Sequence, residues 1–87
     1  MNSAWELEKK YFIRTVTMYV LGKLVYFDDK ELVLENASWV ADSGRFNNAL
    51  KTGKLEEVEP FVNNVIVNRS SIVDATEWDH ELISEVK

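Results

Sequence analysis

The 87-residue chain has no cysteine, a single proline, three glycines and a single histidine. Each shortage excludes something. Without cysteine there are no disulfides and no thiolate metal sites. The three glycines are scattered, so no glycine-rich loop can cradle a phosphate. His80 sits among Glu77, Asp79 and Glu81, where neither a nucleophilic triad nor a histidine-rich metal site can be built around it. It reads as a solvated tail residue. No apolar run approaches the length of a membrane span, and the first residues do not form a signal peptide. The expectation is a soluble, cytoplasmic protein with no membrane partner, no metal and no cofactor. Basic residues are scarce as well: 10 against 15 acidic, a net charge of -5. That balance disfavours strong non-specific nucleic-acid binding, although it leaves room for a local basic patch.

What is present belongs to a folded domain. Hydrophobic residues make up 46% of the chain and aromatics 11%, which argues against disorder. The length fits a single domain with a modest core and a thin stability margin. Association with further copies is the remaining way to bury more surface. Asn36-Ala37-Ser38 and Asn68-Arg69-Ser70 match a glycosylation sequon, which without a secretion signal carries no weight.

The local patterns are mostly those of strands. Ser3-Ala4-Trp5-Glu6 fits a capping box and predicts a short helix from Ala4 to Lys10. Tyr11 to Phe27 is rich in β-branched and aromatic residues and reads as one long β segment, with Val16, Met18 and Val20 on one face. Gly22 interrupts it and marks a bulge or bend. Asp28-Asp29-Lys30 forms a turn. Glu31 to Asn36 returns as a strand with Leu32 and Leu34 on one face and Val33 on the other. Residues 41–60 read as a helical insert: Asp42-Ser43-Gly44 leads into a helix carrying Phe46, Ala49 and Leu50, and Gly53 suits a left-handed cap. Glu56 to Pro60 is an acidic connector, with Pro60 confined to a strand edge or loop. Val65-Ile66-Val67 and Ile72-Val73 are short strands hinged at Asn68 to Ser71. An acidic tail begins at Asp74, with Trp78, Leu82 and Ile83 available for packing.

Two stretches carry a resemblance. Gly22-x-Leu24-x-x-Phe27-Asp28, followed by Leu32-Val33-Leu34-Glu35-Asn36-Ala37, resembles the first motif of Sm-like proteins. Val65-Ile66-Val67-Asn68-Arg69-Ser70-Ser71-Ile72-Val73 resembles the second, in which a hinge joins the last two strands. The resemblance implies a mainly β fold: a small, bent, antiparallel five-stranded Sm-like or SH3-like barrel after an N-terminal helix (1–10). The first-motif strands then span 11–40, the helical insert 41–60, and the second-motif strands and acidic tail 61–87. It implies homo-oligomeric rings and RNA bases held between the two motif loops, here Asp28 to Glu31 and Asn68 to Ser70. The sequence departs from the family where its base-contacting Asn falls at Glu31, and where the Gly usual after Arg69 is missing. Ala37-Ser38-Trp39-Val40-Ala41-Asp42-Ser43-Gly44-Arg45-Phe46 is also similar to stretches of small phage and prophage proteins.

No catalytic constellation is present, so the expectation is a non-enzymatic binding protein. Its ligand-side residues are Lys30, Asn68, Arg69 and Ser70, joined by Arg45, and its ligand a nucleotide or short nucleic acid. The alternative is an acidic protein-interaction module, a DNA mimic or inhibitor of a host protein, docking through Glu56, Glu57, Glu59 and the tail. Each candidate residue also has a plainer role. Asp28 and Asp29 more often cap a turn than hold a metal. Arg69 either holds an anion or anchors the hinge, and Ser43 is a cap before it is an anion site. Trp39, Phe46 and Trp78 either stack on bases or pack a core or subunit interface.

Overall fold

The computed structural model describes residues 3–87. In chain order the elements are β1 (Lys10–Thr15), β2 (Tyr19–Phe27), β3 (Glu31–Asp42), α1 (Phe46–Thr52), β4 (Glu57–Pro60), β5 (Val65–Asn68), a 3₁₀ turn (Arg69–Ser71) and β6 (Ile72–Glu77). The strands form one antiparallel sheet in the order β4-β3-β2-β1-β6, with β5 also paired to β3. The 12-residue β3 is the spine. One of its sides pairs with β2. The other is shared: Glu31 to Leu34 pair with β5, and Ser38 to Asp42 pair with β4.

A bulge at the middle of β3 allows this sharing. Leu21 faces Ser38 and Lys23 faces Glu35, so Asn36 and Ala37 together oppose the single residue Gly22. Asn36 takes the left-handed conformation in this bulge, φ 49°, which asparagine adopts more readily than most residues. Gly22 meets a different demand. A Cβ there would lie 3.0 Å from the Cβ atoms of both Ala37 and Leu34. The bulge or bend expected at this glycine is thus a bulge in the facing strand together with a close approach of two backbones.

The sheet is buried on both faces. Tyr11, Ile13, Val20, Leu24, Leu32, Leu34, Ala37 and Val67 form one core, while the alternate residues Phe12, Leu21 and Val40 join Ala49, Leu55, Val58 and Trp78 in the other. The second core is roofed by α1 and by the segment after β6, whose Leu82 and Ile83 pack onto it. Gly53 ends α1 at φ 77°, its N–H donating to the Ala49 carbonyl. A Cβ on Gly53 would stand 2.6 Å from His80 Cγ. His80 is thus no solvated tail residue. Its ring lies edge-on to Trp78 with centroids 5.0 Å apart, and its Nε2 is 2.8 Å from the Leu50 carbonyl oxygen. The tail is pinned further by the buried Ser38, whose hydroxyl donates to the Ile83 carbonyl at 3.1 Å.

Several expectations need correction. No helix spans Ala4 to Lys10; the first two residues of the expected segment 1–10 lie outside the described residues. Glu8 adopts φ 71°, and its N–H donates to the Leu24 carbonyl at 2.7 Å. Leu24 N–H returns a bond to the Lys9 carbonyl at 2.9 Å, so this segment lengthens the pairing with β2. Trp5 packs edge-on to Tyr11 at 4.9 Å. Those long-range contacts outweigh a capping signal that only a nascent helix could use. The run from Tyr11 to Phe27 is a hairpin: Thr15 Oγ1 accepts from the Met18 N–H at 3.1 Å, turning the chain and leaving Val16 exposed. Glu57 to Pro60 is a strand, which makes six strands where five were expected.

The sheet is not closed. Among the described residues β5 pairs only with β3, and β6 only with β1. Ile66 on β5 is 65% exposed and Val73 on β6 is 55% exposed. The outer edge of β4 differs: Val58 exchanges two backbone hydrogen bonds with Lys87, at 3.0 and 2.8 Å.

Candidate functional site

The turn between β2 and β3 is built around Asp28. One carboxylate oxygen accepts from the N–H groups of Lys30 (2.8 Å) and Glu31 (2.9 Å), the other from the Tyr26 hydroxyl at 2.7 Å. Those donors favour the charged form, the tyrosine most, and hold the Asp28 carboxyl below the usual carboxylate range. The same bond pushes the Tyr26 phenol up. Asp28 therefore caps the turn.

The hinge between β5 and β6 docks on this turn. Arg69 donates its backbone N–H to the Lys30 carbonyl at 2.9 Å, and its guanidinium bonds the Asp28 carbonyl oxygen. The Asn68 side-chain oxygen accepts from the Ser70 N–H (3.0 Å) and the Ser70 hydroxyl (2.9 Å). Ser71 closes the 3₁₀ turn by donating to the Asn68 carbonyl at 2.7 Å.

Turn and hinge enclose an open groove of about 580 Å³, lined by Asp29, Lys30, Glu31, Ile66, Asn68 and Ser70. Three of the residues singled out from sequence, Lys30, Asn68 and Ser70, thus share one groove. Arg69 is turned away from it, toward the Asp28 carbonyl. Arg45 is not part of it: it precedes α1 as N-cap, beyond the Asp42 end of β3, whereas the groove lies at the Glu31 end. The groove offers one ammonium, the Asn68 amide hydrogens and the Ser70 hydroxyl, beside the two carboxylates of Asp29 and Glu31. It can hydrogen-bond a small polar ligand, and its charge is unsuited to a polyanion. The Ile66 floor was not picked out from sequence; the alternation Val65-Ile66-Val67 is the signal, since Val67 is buried and Ile66 must face outward.

The aromatic candidates separate. Trp78 is buried, with its Nε1 donating to the Glu81 carbonyl at 3.2 Å, and Trp39 is half-buried on β3. Phe46 stays 44% exposed and stacks against Tyr19, with centroids 6.0 Å apart and planes inclined by 29°. Among the described residues no cluster of histidine and carboxylates could hold a metal ion, and no helix is long and apolar enough to cross a membrane. No family model, no curated protein and no solved structure matches the chain.

Proposed function

We propose that the chain is a non-enzymatic, homo-oligomeric binding module of the SH3-like or Sm-like kind, assembled head to tail by pairing the β5 edge of one copy with the β6 edge of the next. The contrast between its strand edges carries this reading. A free edge invites uncontrolled pairing, and proteins blunt the edges they do not use with charge, proline or a covering segment. The β4 edge has all three: exposed Glu57 and Glu59, Pro60, and the backbone bonds to Lys87. Among the described residues the β5 and β6 edges have no proline and no covering segment; they carry exposed Ile66 and Val73, and the β6 carboxylates Asp74 and Glu77 are engaged by Arg14 and Lys9, whereas Glu57 and Glu59 have no ion-pair partner. Two different open edges on one chain make a heterologous contact, which closes into a ring when the rotation between copies permits. The return of β6 to β1 through a 3₁₀ turn supports the same fold reading. The groove of Lys30, Asn68 and Ser70 adjoins the β5 edge and is the ligand side, for a single nucleotide; the carboxylates of Asp29 and Glu31 beside it argue against the short nucleic acid that the sequence also allowed. A phage or prophage type is supported by the resemblance of Ala37 to Phe46.

Native mass spectrometry of the purified protein tests the assembly. The wild type is expected as a closed oligomer, and Ile66→Lys with Val73→Lys as a folded monomer with an unchanged circular dichroism spectrum. A wild-type monomer overturns the proposal. Retained mass of nucleotide size, lost in Lys30→Ala, supports the ligand assignment.

A second reading, an acidic module that docks on a host protein or mimics DNA, is favoured by Glu56, Glu57 and Glu59. These have no ion-pair partner among the described residues, whereas Lys9, Arg14 and Lys23 are engaged by Glu6, Glu8, Glu35, Asp74 and Glu77. Affinity for such a partner should fall steeply with salt, and a salt-insensitive complex excludes it.

A further inference from the structure

We propose that the face formed by α1 and the Tyr19–Phe46 pair binds single-stranded nucleic acid. This site is separate from the Lys30–Ser70 groove and does not rest on the oligomer.

The charge is segregated. The stretch from Gly44 to Lys54 holds Arg45, Lys51 and Lys54, and all 15 acidic residues lie elsewhere. The three cations are exposed, and none is in an ion pair among the described residues. Lys51 stands opposite the buried Ala49 side of α1, with Asn47 and Asn48 exposed near it. In an otherwise acidic molecule, this stretch brings three cations together with no carboxylate of its own and no ion-pair partner among the described residues.

Next to it lies an aromatic shelf. Phe46 and Tyr19 stack on each other, and both rest on the buried Phe12, at centroid distances of 6.0 and 5.0 Å. A hollow of about 230 Å³ opens beside Phe46, floored by Phe12 and Leu50 and bordered by Arg14, Asp74 and Thr76. A half-exposed ring held rigid by two others is a platform for an unpaired base, whose π-face it can cover whatever the sequence. Bases in a duplex have no free face, which selects the single strand. An acidic protein would satisfy the cations but leave the rings unexplained.

Carboxylates border the face. Asp42 accepts from the Gly44 N–H at 2.8 Å, and the Glu56 side chain lies against Gly44. At the other end of α1, Asp79 and Glu81 flank His80. They confine the strand to the outer side of α1 and make binding weak and sensitive to salt.

The test is fluorescence anisotropy at low salt with labelled oligothymidylate and oligouridylate of about 15 nucleotides, which distinguish DNA from RNA as the source of the strand. The wild type should bind at least one of them, with a log–log salt slope of about -2 for three neutralised phosphates. Phe46→Ala should weaken binding roughly tenfold. Lys51→Glu, on the solvent side of α1, should weaken it without moving the thermal midpoint, so the test survives if Phe46→Ala loosens the fold. Lys23→Ala, which removes a cation already engaged by Glu8 and Glu35, should leave binding unchanged. Absence of binding by the wild type overturns the proposal. So does binding lost in Lys30→Ala but kept in Lys51→Glu, which instead puts the strand in the groove. Equal affinity for polyglutamate, untouched by Phe46→Ala, assigns the face to an acidic protein and overturns it too.

Discussion

Gly22→Ala perturbs the point where the sheet has least room. The added methyl carbon would lie 3.0 Å from the Cβ atoms of Leu34 and Ala37 and 3.2 Å from Ala37 Cα. Carbon atoms pack best at about 3.5–4.0 Å, so β2 and β3 must part by roughly half an ångström. Neither neighbour can rotate away, because both are Cβ atoms fixed to the backbone. Overpacking of this kind costs about 1–3 kcal/mol. Replacing a strand glycine returns about 0.5–1 kcal/mol through the less flexible unfolded chain. With both neighbours fixed to the backbone the upper part of the overpacking range, about 2–3 kcal/mol, applies, and the expected net loss is about 1–2.5 kcal/mol, against a total of about 4–13 kcal/mol for a chain of this length. Urea unfolding followed by tryptophan fluorescence measures it, with the slope m unchanged because the surface exposed is the same. Ala37→Gly in the same chain removes one of the two clashing methyl groups. The double variant should therefore lose less than the sum of the single losses, with a coupling of at least about 0.5 kcal/mol. A Gly22→Ala protein as stable as wild type, or strictly additive losses, would refute the close-approach argument.

The hinge and the turn give two more tests. Arg69→Ala should cost about 1–2 kcal/mol in urea unfolding, because the Asp28 carbonyl loses a charged donor; an unchanged midpoint would mean that the contact contributes nothing. Asp28 has a folded pKa below its unfolded one, so its contribution is full above the unfolded value and is lost as pH falls through the folded value. Tyr26→Phe removes the largest cause of that depression, so the Asp28 carboxyl should titrate at higher pH, and the stability it loses on acidification should be smaller and fully lost at a higher pH. Carbon-detected NMR titration of Asp28 checks this, and an identical titration curve in the variant rules out the Tyr26 contribution.

Local chemistry was legible where it decides the outcome. Phe46, Ala49, Leu50 and Gly53 define α1 through spacing and a left-handed cap, and the structure has the helix there. Leu32, Leu34 and Val33 divide between faces as their alternation requires, and Asn68 to Ser71 forms the hinge. The expectations that failed were decided by partners far along the chain. The segment before β1 has helix-capping residues, yet Leu24 draws it into the sheet. Glu56 to Pro60 read as an acidic connector because nothing local reveals the second side of β3, with which Glu57 to Pro60 pair. His80 read as solvated because its partners Gly53 and Leu50 are some thirty residues earlier. At the site, residue types were legible and directions were not. Lys30, Asn68 and Ser70 line the groove, while the Arg69 guanidinium turns to a backbone carbonyl that no side-chain pattern advertises. The turn at Val16 to Met18 lacks glycine, asparagine and proline, and only a threonine hydroxyl marks it.

The sheet buried on both sides bears on how this protein could be shortened or grafted. The stretch joining its halves looks like a loop that an engineer could trim. Yet Phe12, Leu21 and Val40 point into a core whose roof is that stretch and the tail. Cutting back to the strands alone would strip three large side chains bare in the middle of the sheet, and the remnant would need polar replacements at all three to stay dispersed. The smallest portable unit therefore includes α1 and the tail through Ile83. Sequence drift in the insert is constrained by the reverse side of β1, β2 and β3 as much as by whatever the insert touches in solution.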